Sequence, residues 1–424
     1  MSIFGTRPEA IKLAPVIREL ERSAAEGRLC STVCITAQHR QMLDQVLDAF
    51  GIVPDHDLDI MVAGQSTSRV ASEVLGRLEP ILRAERPDWV LVQGDTTTVA
   101  AAALAAYYAG VKVGHIEAGL RSGDKWQPFP EEINRRVAGV IADLHFAPTD
   151  QARRALLAEG VPAGRIVLTG NPIIDALRWV AAQPAPAEVA DDLTGQGVPR
   201  ALLEPEPGPT GAAGRLILVT AHRRENFGAP IEQICRALRD IALGFGERVH
   251  VVYPVHPNPN VVEPVRRILG EVPNVTLTAP LDYRSLVYLM QRSYFVMTDS
   301  GGLQEEAPSL GKPVLVLRQV TERPDGVEAG VAKLVGADRT MIVEEAGRLL
   351  TDEQAYATMA RAVNPYGDGH ASSRIVQALL DDRTHADDRG SSRGGCSAGT
   401  PLGSDHAPRE GEDLLSRGAD GGAS

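Results

Sequence analysis

Short apolar runs, each stopped by glycine or small polar residues, alternate along this chain with longer stretches whose apolar side chains recur at helical spacing. The runs Trp89 to Gln93, Leu144 to Ala147, Val249 to Pro254 and Tyr294 to Met297 show little polar alternation, as expected of strands covered on both faces. Ser31 to Thr36, Val111 to Ile116, Ile166 to Thr169, Leu216 to Thr220, Val275 to Thr278 and Val314 to Leu317 read the same way. Helical spacing predicts helices over 10–21, 42–50, 67–83, 99–109, 150–159 and 283–292. Strand and helix in regular alternation predict an α/β fold built from parallel, doubly wound sheets.

The rhythm lapses twice. Between about Ala181 and Gly214 the chain turns to Pro, Gly, Glu and Ala without a period, which predicts a connection carrying a loose insertion. From Asp382 to Ser424 it is Gly, Ser, Asp and Arg with almost no large apolar residue, which predicts disorder. The expected organisation is therefore a first Rossmann-like domain over 1–180, a linker over 181–214, a second such domain over 215–381, and a tail over 382–424. At 424 residues the chain is too long for one ordinary core, in keeping with two.

Composition narrows the function. A net charge of −12 argues against a nucleic-acid or acidic-membrane partner, although local arginines can still receive an anionic substrate. No apolar run approaches the length of a membrane span. The first residues pass straight into a short strand, which looks clipped, and a glycine turn, so no signal peptide is expected. Cys30, Cys34, Cys235 and Cys396 lack metal or redox spacing and are expected to be free thiols in a reducing compartment, the cytoplasm.

The polar clusters sit where the predicted strands end, which is where open α/β sheets bind ligands. After the run ending at Met297, Ser300-Gly301-Gly302 opens a helical pattern. Unpaired backbone N–H groups and the positive end of the helix dipole meet there, and glycine lets an anion approach. Glu305 and Glu306 follow about one turn later, where a carboxylate can accept both hydroxyls of a ribose. A tightly packed β-α turn would use the same glycines. In the first half, Arg7 and Lys12 flank the first turn, and Asp95, Glu117 and Glu131 each follow a strand end or a proline-started helix. One such carboxylate is ordinarily a cap; three at one cleft mouth raise one another's pKa and can pass a proton. His222, followed by Arg223 and Arg224, ends a strand in the second half, and Arg323 lies in a later loop. Asp57 and Asp59 imitate a metal-binding pair, but no further ligands gather near them and a polar loop is the simpler reading.

The segments GTRPEAIKLAPV at 5–16, QHRQMLDQVL at 38–47, QGDTTT at 93–98, EAGLRSGD at 117–124 and PEEINRR at 130–136 resemble the non-hydrolysing UDP-N-acetylglucosamine 2-epimerases. So do TAHRREN at 220–226, PVHPNPNV at 254–261 and TDSGGLQEEAPSLGKPVLVLR at 298–318. The resemblance spans roughly 3 to 375 in consistent order. It implies two domains facing across a cleft, the GT-B arrangement, and reversible inversion at C2 between UDP-N-acetylglucosamine and UDP-N-acetylmannosamine. It further implies loss and re-addition of UDP through 2-acetamidoglucal, without nicotinamide or metal.

By that resemblance Asp95, Glu117 and Glu131 share the proton transfers and His222 assists UDP departure. Arg7, Lys12 and Arg135 line the cleft, Ser300, Gly301 and Gly302 hold the diphosphate, Glu306 the ribose, and Arg323 the nucleotide. Leu281 and Leu286 stand at the uracil end, which leaves base selectivity to backbone and shape. Gln38, Gln41, Glu131, Arg223 and His256 match positions that hold a second, activating UDP-N-acetylglucosamine in some members, although the loop at 60–66 lacks an arginine to complete that set. A homodimer is the usual assembly. A GT-B glycosyltransferase or a non-catalytic nucleotide-sugar sensor would share the fold, and three carboxylates favour the epimerase over either.

Overall fold

The computed structural model describes residues 1–37, 40–62, 64–184, 187–204 and 214–387. Seven strands form the first sheet: β1 (Ser2–Phe4), β2 (Val33–Ile35), β3 (His56–Asp57), β4 (Trp89–Gln93), β5 (Lys112–Ile116), β6 (Leu144–Ala147) and β7 (Ile166–Leu168). Their spatial order is β3-β2-β1-β4-β5-β6-β7. The second sheet has six: β8 (Arg215–Thr220), β9 (Val249–Pro254), β10 (Val275–Thr278), β11 (Phe295–Thr298), β12 (Val314–Val316) and β13 (Ala332–Leu334), in the order β10-β9-β8-β11-β12-β13. Every pairing between these strands is parallel. The chain is thus α/β with two doubly wound domains facing across a cleft, and in each sheet the strand order reverses beside the first strand, where a crevice opens.

Both faces of each sheet are covered, which is why the strands read as continuous apolar runs. Leu13, Ile17, Phe4 and Ile35 pack on one side of the first sheet, while Val74, Leu78, Val90 and Val92 pack on the other. Two short strands escaped the pattern. β3 is a polar pair, and β13 is only three residues long, beginning two positions after Gly330. β3 pairs with β2 and β13 with β12, where Ala332 and Leu334 join an apolar cluster.

Other expectations change. The stretch read as an aperiodic connection holds helices Ala187–Gly195 and Arg200–Leu203. Ala190, Leu193, Leu202 and Leu203 are buried there against Leu216, Leu218 and Leu289, so a few well-placed apolar residues sufficed without a clear period. Residues 382–387, assigned to the tail, continue the helix Ala371–Asp387; the remainder of that tail, 388–424, lies outside the described residues. That last helix was counted with the second half, yet Ile375, Val376 and Leu379 join the cluster of Leu13, Ile17 and Leu177 in the first. The C-terminal part of the chain therefore crosses back and ties the two halves together. Cys34 and Cys235 are buried free thiols, whereas Cys30 is disulfide-bonded, which corrects the reading of all four cysteines as free. Among the described residues no helix is long and apolar enough to cross a membrane.

Candidate active site

The strand ends of both sheets converge on one polar network. At the end of β5, Glu117 takes a backbone φ of +62°, a left-handed conformation that costs a non-glycine residue about 1–2 kcal/mol. The twist aims its carboxylate into the cleft, where it is only 5% exposed. Oε2 accepts from Lys12 Nζ at 2.5 Å and from Gln93 Nε2, and Oε1 lies 3.4 Å from Arg323 Nη2 of the facing domain. Burial alone would push this carboxyl up, but the Lys12 ammonium and the Arg323 guanidinium outweigh it and hold the pKa below the usual carboxylate range. Lys12 responds in kind. Burial opposes its charge, yet Glu117 and Glu305 keep its pKa above that of an ordinary lysine.

Arg323 is the hinge of this network. It is 8% exposed, and its Nε donates to Glu305 Oε1. Burial works against the guanidinium, and the Glu305 and Glu117 carboxylates more than offset it, so it stays charged. Glu305 is itself buried and accepts at Oε2 from Asn171 Nδ2 at 2.6 Å, a contact from the end of β7. Burial pushes the Glu305 carboxyl up. Its neighbour Glu306 accepts a hydrogen bond from the Tyr283 hydroxyl at 2.7 Å, and burial pushes its pKa to about 7.

Asp95 stands at the end of β4 with Arg135 Nε at 2.8 Å and Nη2 at 2.7 Å from its Oδ2. Asn134 Nδ2 donates to the Asp95 carbonyl at 2.9 Å. Glu131, Asn134 and Arg135 lie three and four residues apart on the helix Glu131–Ile141, on one face, so Glu131 opens the helix that grips Asp95. Glu131 Oε2 is buried without a hydrogen-bond partner. Arg135 Nη1 also reaches Glu132 Oε2 at 3.2 Å, so this arginine is engaged by two carboxylates.

Across the cleft, Ser300 precedes the helix Gly301–Ser309, whose first N–H groups have no acceptor within the helix. A Cβ on Gly301 would lie 3.0 Å from Glu322 Oε1, closer than an ordinary contact, whereas one on Gly302 would meet Glu306 Oε2 at an ordinary 3.4 Å, so packing is tight at the first glycine only. His222 follows β8, and its ring stacks on that of His256 with centroids 5.3 Å apart. Burial lowers the His222 pKa; Asp299 pulls it the other way. Arg7 Nη2 reaches the Leu281 carbonyl at 3.4 Å, a second link between the domains. Leu281 and Leu286 pack against the apolar cluster that includes Leu303, so their side chains are largely committed to the fold.

Of the candidates for a second nucleotide-sugar, Arg223 and His256 flank His222 and are exposed. Gln38 and the side chain of Gln41 lie outside the described residues. Sequence reasoning passed over Asn171, Asp299 and Tyr283. Asn171 and Asp299 carried a usable signal, since each is a short polar residue in the turn between a strand and the next helix. Glu9, in the first turn of the helix that follows β1, is buried and accepts from the backbone of Gly5 and Thr6 while Thr96 Oγ1 donates at 2.5 Å.

The chain is similar to known proteins over most of its length. A family model described as UDP-N-acetylglucosamine 2-epimerase matches residues 21–380. The UDP-N-acetylglucosamine 2-epimerase of Escherichia coli O157:H7 is 52% identical over 383 residues, covering 90% of this chain and 98% of that protein. The enzyme of the same name from Salmonella typhimurium is 52% identical over 379 residues, covering 89% and 97%. The crystal structure of UDP-GlcNAc 2-epimerase from Neisseria meningitidis bound to UDP-GlcNAc superposes with a TM-score of 0.80 at 44% identity, covering 90% of this chain and 99% of that one.

Proposed function

Because this chain belongs to the UDP-N-acetylglucosamine 2-epimerase family, we propose that it interconverts UDP-N-acetylglucosamine and UDP-N-acetylmannosamine by eliminating UDP and adding it back. The C2 proton has no adjacent carbonyl to acidify it. Cleavage of the C1–O bond must therefore run ahead, building positive charge at C1 that nearby carboxylates stabilise. Loss of the C2 proton then gives 2-acetamidoglucal and UDP. Return of a proton to the other face of C2, with re-addition of UDP at C1, gives the epimer.

Asp95, Glu117 and Glu131 share the removal and return of the proton. Lys12 and Arg323 keep Glu117 ionised, ready to face the cationic transition state. Ser300, Gly301 and Gly302 receive the diphosphate, with Arg323 beside them and Glu306 on the ribose, while His222 serves the departing oxygen. Arg7 and Lys12 border the sugar, and the backbone around Leu281 and Leu286 meets the base. One observation carries the reading: Arg323 joins Glu117 of the first sheet to Glu305 on the helix that opens at Gly301, so the acidic wall and the diphosphate turn lie one side chain apart. The chain is taken to work as a cytoplasmic homodimer. A second UDP-N-acetylglucosamine near Arg223 and His256 would activate it, so traces of that sugar should accelerate turnover of the other epimer.

The deciding experiment is an NMR time course in D2O with UDP-N-acetylglucosamine and no acceptor. Deuterium should enter C2 as both UDP-sugars approach equilibrium. Interconversion with C2 retaining its original hydrogen would refute the route, and an unchanged sugar would refute the activity.

A further inference from the structure

Asp299 follows β11 and immediately precedes Ser300, yet no role in the reaction has been given to it. It is fully buried. Its Oδ2 accepts from three donors: the backbone N–H groups of His222 and Arg223, each at 2.8 Å, and Asn226 Nδ2 at 2.9 Å. Asn226 Nδ2 also donates to the Leu317 carbonyl at 3.1 Å. Three strand ends, those of β8, β11 and β12, are thereby fastened at one carboxylate. The second oxygen is different. Oδ1 is buried, has no hydrogen-bond partner, and lies 3.8 Å from His222 Nδ1. A buried carboxylate oxygen left open costs about 1–3 kcal/mol or more, and an imidazole nitrogen is the polar group placed to fill it. His256 stacks on the face of the same ring and limits how it can turn.

We propose that Asp299 is the positioning residue for His222, holding a ring proton on Nδ1 so that Nε2 is the nitrogen presented to the UDP leaving oxygen. A small rotation of the ring shortens the 3.8 Å separation to a hydrogen bond, a tightening expected when a catalytic site fills. With Nδ1–H committed to Asp299, Nε2 carries the second proton when His222 is cationic and accepts when it is neutral. Asp299 also stabilises the imidazolium, so a proton given to the diphosphate can be taken back when UDP re-adds. Because Asp299 and Ser300 are consecutive, the same rigid turn sets the height of the histidine and of the diphosphate together.

The inference rests on the role given to His222 above, and its test separates the two. Asp299→Asn suits the purpose because its amide oxygen can keep the contacts of Oδ2. Its NH2 then occupies the place of Oδ1 and faces Nδ1, which must become the acceptor, so the neutral ring proton moves to Nε2. With ring-15N-histidine in the full-length protein, and the His222 signals assigned by their loss in His222→Asn, wild type should show the Nδ1–H tautomer and Asp299→Asn the Nε2–H tautomer. The kcat of Asp299→Asn should fall about 10²–10⁴-fold, with KM changed far less. In a His222→Asn background the same substitution should cost less than about threefold, since its effect passes through the ring.

An Nε2–H tautomer in wild type would overturn the proposal, whether or not the variant folds. So would a kcat within threefold of wild type for Asp299→Asn, or losses that multiply in the double variant. Full activity in His222→Asn would instead remove the role of His222 in turnover, while the tautomer spectra would still decide whether Asp299 orients it.

Discussion

Glu306 offers a direct test of how burial and recognition oppose each other in the second domain. Its carboxyl is 3% exposed and accepts from the Tyr283 hydroxyl at 2.7 Å, and burial raises its pKa from 4.5 to about 7. In the unfolded chain this group gives up its proton near pH 4.5, whereas in the fold it keeps it to about 7. Stability attached to the proton is thus complete below pH 4.5, declines as pH rises through that window, and is lost above about 7. At about 1.4 kcal/mol per pH unit the full penalty is about 3 kcal/mol. Glu306→Gln removes the ionisation and keeps an acceptor for Tyr283. The variant should therefore be more stable than wild type by about 1.4 kcal/mol at pH 5.5 and about 3 kcal/mol at pH 8. Urea unfolding of the ligand-free protein at the two pH values measures the difference. The same variant should bind UDP about 10–100-fold more weakly, because charge-assisted hydrogen bonds to the ribose hydroxyls are lost. A gain that is equal at both pH values, or no gain at pH 8, would refute the argument.

Arg323→Met should destabilise the fold by about 3–5 kcal/mol, because Glu117 and Glu305 stay buried without their shared cation. Its thermal midpoint should drop more at pH 8 than at pH 5.5, since acid lets the stranded carboxyls take up protons. Lys12→Met should lower kcat about 10²–10³-fold and move the acidic limb of its pH profile upward, because the ammonium that depresses the Glu117 pKa is gone. Gly5→Ala should cost about 1–3 kcal/mol in chemical denaturation, since a Cβ there would sit 2.0 Å from Thr36 Oγ1 and 2.9 Å from Thr98 Oγ1.

Much of this protein was legible along the chain because parallel strands are buried on both faces and announce themselves as unbroken apolar runs. Trp89–Gln93, Leu144–Ala147, Val249–Pro254 and Val275–Thr278 fall where the pattern puts them. The clusters at strand ends were equally visible, because a doubly wound sheet gathers its loops on one edge and polar residues there have few other reasons to be consecutive. The amino-acid order alone thus settled the fold class, the two halves and the family.

Partnership across long separations was not written in any local pattern. Arg323 meets Glu117 over 206 positions, Asn171 meets Glu305 over 134, and Asp299 reaches the backbone of His222 over 77. Helix Ala371–Asp387 returns to the first half because Ile375 and Leu379 find their apolar cover there, which no spacing rule could assign. A hydrophobic period says that a face is buried but not against what. A charge says that a partner is needed but not which one. Those choices arise only when the tertiary fold brings distant strand ends to one place and strips water from the groups between them.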